Sequence, residues 1–148
     1  MTVLDLIGSR SSVYSIRDDA TVHDVARYLR DRQVRSVGVV DAGDRLVGVV
    51  SQSDIADKVA AENKCPAWMR VAEIMSTRLV TVTPDRSLND CLHLMEQHGI
   101  YHLVVVDDEG GAFRGMLSVT DLLTVIASDE KSRADMLEAF LFERTTLR

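Results

Sequence analysis

Apolar positions along the chain fall into two rows with the same order. Val13 to Ile16 reads as a short strand, and Asp18-Asp19-Ala20 as a turn. Val22, Val25, Ala26 and Leu29 recur at helical spacing, in a helix ending near Gln33. Val34 to Asp41, holding Val37, Val39 and Val40, is a β-branched strand. Ala42-Gly43-Asp44 is a hairpin signal, Leu46 to Val50 the return strand, and Ile55, Ala56, Val59 and Ala60 a short helix. Asn63 to Arg70, with Pro66 inside it, breaks the pattern. Val71-Ala72-Glu73-Ile74-Met75 then opens a second row: a strand over Leu79 to Val82, a helix face of Leu88, Leu92 and Met95, a strand over Leu103 to Asp107, a turn at Glu109-Gly110-Gly111, and a return strand from Gly115.

The two rows keep register. Thr21-Val22-His23-Asp24 is a capping box, a hydroxyl with an acid three residues on, and Ser87-Leu88-Asn89-Asp90 matches it 66 residues later. Gly48-Val49-Val50-Ser51-Gln52-Ser53-Asp54 returns 67 residues later as Gly115-Met116-Leu117-Ser118-Val119-Thr120-Asp121. The one-residue change falls in the hairpin, where insertions are tolerated. The predicted class is α/β (α+β): two β-α-β-β-α repeats packed with pseudo-twofold symmetry, plus a C-terminal helix. The boundaries are a first repeat with its lead over 1–62, a linker over 63–70, a second repeat over 71–127 and a tail over 128–148. Ser128-Asp129-Glu130 reads as a helix entry. Met136, Leu137, Phe140 and Leu141 make an apolar stripe that either packs back on its own domain or meets a partner. A unit of about 60 residues buries little by itself, so the halves are expected to share a core, with the Asp corners opening onto clefts between them.

Each corner stands where a strand hands over to a helix. The first N–H groups of a helix have no internal partner and favour anions and lone pairs. The Asp offers acceptor oxygens suited to a ribose diol, and the hydroxyls of Ser51, Ser53, Ser118 and Thr120 suit sugar or phosphate oxygens. Ser, Thr and Asp are also the preferred helix caps, so one copy alone is better explained by capping. Two copies at the same relative place favour a paired site.

Composition narrows the function. The net charge of −6 argues against a general nucleic-acid binder. No apolar run approaches the roughly 20 residues of a membrane span, and Met1-Thr2-Val3-Leu4-Asp5-Leu6 lacks the pattern of a signal peptide. Two cysteines, Cys65 and Cys91, make no disulfide framework and read as free thiols of a cytoplasmic protein. His93 and His98 stand five apart, which is not the spacing of a zinc pair, and no catalytic residue or metal ligand is assigned. Trp68 in the linker is expected to pack.

With both corners in view, residues 7–127 resemble a tandem pair of CBS domains, a Bateman module. Further matching features are Ile74-Met75-Ser76, Val80-Thr81-Val82-Thr83-Pro84-Asp85 and Tyr101-His102-Leu103-Val104-Val105-Val106-Asp107. The chain is similar to small stand-alone bacterial CBS-pair proteins. The resemblance implies a non-enzymatic sensor of an adenine nucleotide (AMP, ADP, ATP, NAD(H) or S-adenosylmethionine, with AMP or ATP first), a homodimer, and a regulated protein partner. It implies that Asp54 and Asp121 take the ribose hydroxyls, supported by Ser51, Ser53, Ser118 and Thr120. Phosphate would fall to Arg35, His102 and Arg114. Val13, Val50, Val80 and Met116 would line adenine. Many stand-alone relatives carry Glu-Arg between the hydroxyl and the Asp. Here those positions are Gln52-Ser53 and Val119-Thr120, which leaves the phosphate count open. The alternative is a CBS-fold interaction scaffold with no nucleotide.

Overall fold

The computed structural model describes residues 1–8, 13–107, 111–126, 134–135 and 137–141. The chain opens on a short helix, α1 (Val3–Ile7). The first repeat contains β1 (Ser15–Arg17), α2 (Val22–Arg32), β2 (Ser36–Val40), β3 (Leu46–Ser51) and α3 (Gln52–Ile55). The second contains β4 (Thr81–Val82), α4 (Leu88–His98), β5 (His102–Val106), β6 (Phe113–Ser118) and α5 (Val119–Ile126). Each repeat forms a three-stranded sheet in which the first pair is parallel and the second antiparallel. The β-α-β-β-α order expected from the apolar pattern is therefore the observed one.

The elements form for local reasons. Thr21 Oγ1 accepts from Asp24 N at 3.1 Å while Asp24 Oδ2 accepts from Thr21 N, closing the capping box of α2. Ser87 Oγ accepts from Asp90 N at 3.1 Å at the head of α4. Both helices end in a left-handed residue, Gln33 (φ 54°) and Gly99 (φ 64°). The buried stripes are Val22, Val25 and Leu29 on α2, and Leu88, Cys91, Leu92 and Met95 on α4. β1 and β4 are shorter than the apolar runs that predict them, because the ladders to β2 and β5 cover only Ser15–Arg17 and Thr81–Val82. Val13 and Val80 consequently lie outside strands. The Glu109-Gly110 part of the second hairpin, the Ser128–Glu130 helix entry and Met136 lie outside the described residues.

By contact the chain forms two compact units, Ser12–Val80, and Met1–Ser11 with Thr81–Arg148. Each repeat is completed by the lead that precedes the other repeat in sequence. The opening segment joins the second repeat: Val3 N donates to Arg86 O at 2.9 Å, Leu4 N to Pro84 O at 2.8 Å, and Leu88 N to Met1 O at 3.2 Å. Val3 and Ile7 are buried there. Residues 69–76 do the same for the first repeat. Val22 N donates to Met69 O at 2.8 Å, Val71 N to Ala20 O at 2.9 Å, and Val71 and Ile74 enter the core of Val22, Val25, Leu29, Val37, Val39, Val50 and Val59.

The tail returns to its own unit. Residues 134–135 and 137–141 are helical, and Phe140 is buried with its ring 6.3 Å from that of Tyr101. Leu137 and Leu141 on the same stripe remain exposed. Trp68 is 87% exposed, against the packing role expected for it. The short 3-10 turn Pro66–Trp68 holds the backbone while the indole points out of the unit's core.

Candidate functional site: two strand-to-helix corners

Both predicted corners form, and each is built by the same local logic. In the first repeat, Ser51 N donates to Asp54 Oδ2 at 2.9 Å, Ser51 Oγ lies 3.1 Å from the same oxygen, and Asp54 N approaches Ser51 Oγ at 3.4 Å. In the second, Ser118 N donates to Asp121 Oδ2 at 2.9 Å and Asp121 N donates to Ser118 Oγ at 3.1 Å. The capping reading is thus realised in both repeats. Capping occupies one carboxylate oxygen and orients the group; a carboxylate has about four acceptor positions, so a fixed Asp keeps capacity for further donors. The residue just before β2 or β5 holds each corner in place. Gln52 N donates to Arg35 O at 3.0 Å, and Val119 N to Tyr101 O at 2.9 Å.

A β-bulge precedes each corner. The β2–β3 register shifts between Val39 and Val40, leaving Val47 extra, and the β5–β6 register shifts between Val105 and Val106, leaving Arg114 extra. A bulge twists the strand and re-aims the residues beyond it. The two motif glycines serve different needs. A Cβ on Gly48 would stand 2.6 Å from Met75 Sδ and 3.0 Å from Ser76 O. Gly115 instead adopts φ 133°, a conformation L side chains rarely take.

The phosphate candidates are placed unevenly. Arg35 adjoins the first corner through its carbonyl, with its side chain exposed. His102 pairs across the ladder with Ser118. The structural counterpart of His102 is Ser36, which pairs with Ser51 and is buried. Arg114 is not brought to the corner. It lies at the far end of β6, about 13 Å along the strand from Ser118, where Nη1 pairs with Asp107 Oδ1 at 2.9 Å. Among the adenine candidates, Val13 is exposed, Val80 and Met116 are half-buried, and Val50 is wholly buried in its own repeat's core. The repeat counterpart of Met116 is Val49, which is half-buried; that of Val50 is Leu117, also in the core. Strand parity, counted from the Gly, carries that signal.

Lys58 was not among the sequence candidates. Its Nζ lies 3.0 Å from Asp54 Oδ1, one helical turn on, and donates to Ile74 O at 2.8 Å. The helix carrying it widens from α3 into a π-helical stretch over Ala56–Ala60, with Ala61 N donating to Ala56 O at 2.8 Å. The available signal was Asp and Lys four residues apart on a helix. Position 125, its counterpart in the second repeat, is Val. Charge differs between the units as well. Residues 12–80 carry ten Lys/Arg against ten Asp/Glu, so the whole net charge of −6 belongs to the other unit. Among the described residues no group of His, Cys, Asp and Glu could hold a metal ion, and no helix is long and apolar enough to cross a membrane.

Two β-α-β-β-α repeats, each closing on a Gly-x-x-Ser-x-Ser/Thr-Asp corner, define a tandem-repeat module. The model of the CBS domain matches residues 3–61 and 71–128, and the chain belongs to the CBS-domain family. It is similar to the uncharacterized protein MK0525 of Methanopyrus kandleri, 30% identical over 117 residues, covering 79% of this chain and 59% of that one. It spans 36% of a second curated relative it matches and 61% of a third. A putative signal-transduction protein with CBS domains from Burkholderia ambifaria MC40-6 superposes with a TM-score of 0.80 at 28% identity, covering 88% of this chain and 96% of that one. The CBS domain pair of protein MJ0100, solved with 5-methylthioadenosine and S-adenosyl-L-methionine, superposes with a TM-score of 0.75 at 23% identity, covering 85% and 95%.

Proposed function

We propose that this protein is a non-enzymatic regulatory module that binds an adenosine-containing ligand at its Asp corners. The observation that carries the reading is the duplication: Asp54 and Asp121 are held in the same way, at the same place, in both repeats of a CBS pair. The adenosine ligands of the MJ0100 pair support the ligand class. In this reading a ribose diol donates to the Asp, the corner hydroxyls of Ser51, Ser53, Ser118 and Thr120 support the sugar, and Val49 and Met116 flank the base. Arg35 and His102 are the phosphate contacts; Arg114 serves its hairpin. AMP and ATP remain the first ligands to try, followed by S-adenosylmethionine and NADH. The module acts as a cytoplasmic homodimer whose ligand shifts a conformational equilibrium that a protein partner reads, by as much as its affinities for the two states differ.

A second reading, an interaction scaffold without nucleotide, is favoured by Lys58, which already supplies Asp54 with a cation. Calorimetric titration with AMP, ATP, NADH, S-adenosylmethionine and 5-methylthioadenosine separates the two. Saturable binding that Asp54→Ala or Asp121→Ala weakens at least about tenfold, as loss of a charged hydrogen-bond acceptor implies, supports the sensor. Absence of binding by folded, ligand-free protein leaves the scaffold.

A further inference from the structure

We propose that Lys58 is a positioning residue that ties the first corner to the segment 74–76, and that a ligand on Asp54 must displace it. The ligand half of this inference rests on the proposed nucleotide-sensor function; the tether half does not. Lys58 Nζ sits between two acceptors from different parts of the chain, Asp54 Oδ1 at 3.0 Å and Ile74 O at 2.8 Å. The Asp54 side chain is 16% exposed, so this is a largely desolvated carboxylate, whereas Lys58 is 47% exposed and can withdraw into water. Asp54 Oδ2 is already taken by Ser51 N and Ser51 Oγ. An incoming diol brings two O–H donors and therefore needs both acceptor positions of Oδ1, one of which Lys58 holds.

The other end of the tether starts from Ile74, which is buried in the first repeat's core with its N–H donating to Val71 O at 3.1 Å. Past Ile74 the chain runs along the outer edge of β3 through one bridge, Val49 N to Ser76 O at 2.9 Å and Ser76 N to Val49 O at 2.8 Å. Gly48 is what lets Met75 and Ser76 approach that closely. Lys58 thus couples the occupancy of Asp54 to how firmly residues 74–76 lie on the sheet. Val125 at the equivalent place removes such a lysine from the second repeat, so the coupling belongs to the first repeat.

Thermodynamic linkage makes the claim quantitative. If ligand and Lys58 exclude one another at Oδ1 and Lys58 grips both acceptors or neither, the factor by which Lys58 steadies the segment equals the factor by which it weakens the ligand. The experiment compares wild type, Lys58→Met and Lys58→Arg by amide hydrogen exchange without ligand and by calorimetry with 5-methylthioadenosine, which carries no phosphate. In Lys58→Met the Val49 and Ser76 amides are expected to exchange roughly fivefold faster, with the Val39 amide in β2 unchanged. Lys58→Arg, which keeps a cationic donor, returns the rates towards wild type. Affinity at the site that Asp54→Ala abolishes rises by a similar factor in Lys58→Met. Unchanged exchange at Val49 and Ser76 overturns the tether. Faster exchange with unchanged or weaker affinity overturns the exclusion. If 5-methylthioadenosine binds neither wild type nor Lys58→Met, the exclusion falls; the nucleotide reading falls only if AMP, ATP, NADH and S-adenosylmethionine also fail to bind, and the exchange comparison still decides the tether.

Discussion

The two corners share a sequence pattern, a bulge and a reciprocal Ser–Asp cap, yet they are set in different surroundings. At the first, a lysine occupies the second carboxylate oxygen, the helix widens into a π turn, and the host unit is electrically neutral by residue count. At the second, α5 is a regular helix, valine replaces the lysine, and the host unit carries the whole net charge of −6. A seven-residue pattern specifies the cap, because capping involves only near neighbours. It does not specify the electrostatic setting. For an anionic ligand the first corner has the better field, since like charge on the second unit opposes approach of phosphate. For a neutral nucleoside that handicap disappears, and Lys58 becomes the obstacle at the first.

The strongest way to break the likeness of the repeats is through their cores. Leu29 and Met95 occupy matching places on α2 and α4, at 2% and 1% exposure. Leu29→Ala and Met95→Ala are each expected to cost about 2–5 kcal/mol, measured by urea unfolding. Losses agreeing within about 1 kcal/mol would mark the two helix seats as energetically equivalent; a clear disparity would show that one unit is the weaker.

A finer test separates the two glycines. Gly48→Ala and Gly115→Ala are each expected to cost about 1–3 kcal/mol, for different reasons. Met75→Ala removes the two nearest atoms that a Cβ at position 48 meets and leaves Ser76 O at 3.0 Å, so it should recover about 1 kcal/mol of the Gly48→Ala loss and none of the Gly115→Ala loss. Recovery in both, or in neither, contradicts the assignment of a steric need to one and a conformational need to the other.

The smallest effect concerns the hairpins. Asp41 Oδ1 accepts from Gly43 N at 2.8 Å and Arg45 N at 3.0 Å. The Arg45 N–H, aided by that of Gly43, holds its carboxyl below the ordinary value of 3.8. A carboxyl lowered in the folded state contributes stability that is present above its unfolded pKa and lost as pH falls through the folded value. Asp41→Asn should therefore narrow its deficit against wild type as urea unfolding is repeated from pH 6 down to pH 3. In the second hairpin Asp107 pairs with Arg114, and added salt should weaken that pair while sparing the N–H bonds to Asp41. Equal salt sensitivity of Asp41→Asn and Asp107→Asn would contradict the distinction.

Much of the architecture was legible along the chain. Periodic Val22, Val25 and Leu29 declare α2, and Val37, Val39 and Val40 declare β2, because burial on a helix or strand imposes a spacing that survives in sequence. The caps of α2 and α4 and both Ser–Asp corners were legible for the same local reason. Val50 as an adenine contact shows where reading stopped: it is apolar and adjacent to the corner, but strand parity turns it into the core and leaves Val49 on the other face. Arg114 looked close to its corner in sequence, yet an extended strand carries it about 13 Å away.

Sequence by itself determined the repeat, the order of elements, the two corners and membership in a family, since each depends on residues within a few positions of one another or on a pattern that recurs. Only the tertiary structure decided which lead completes which repeat, why position 48 is glycine, and that Lys58 stands on Asp54 while reaching Ile74. Those facts depend on distances between segments far apart in the chain, and such distances exist only after the chain has packed.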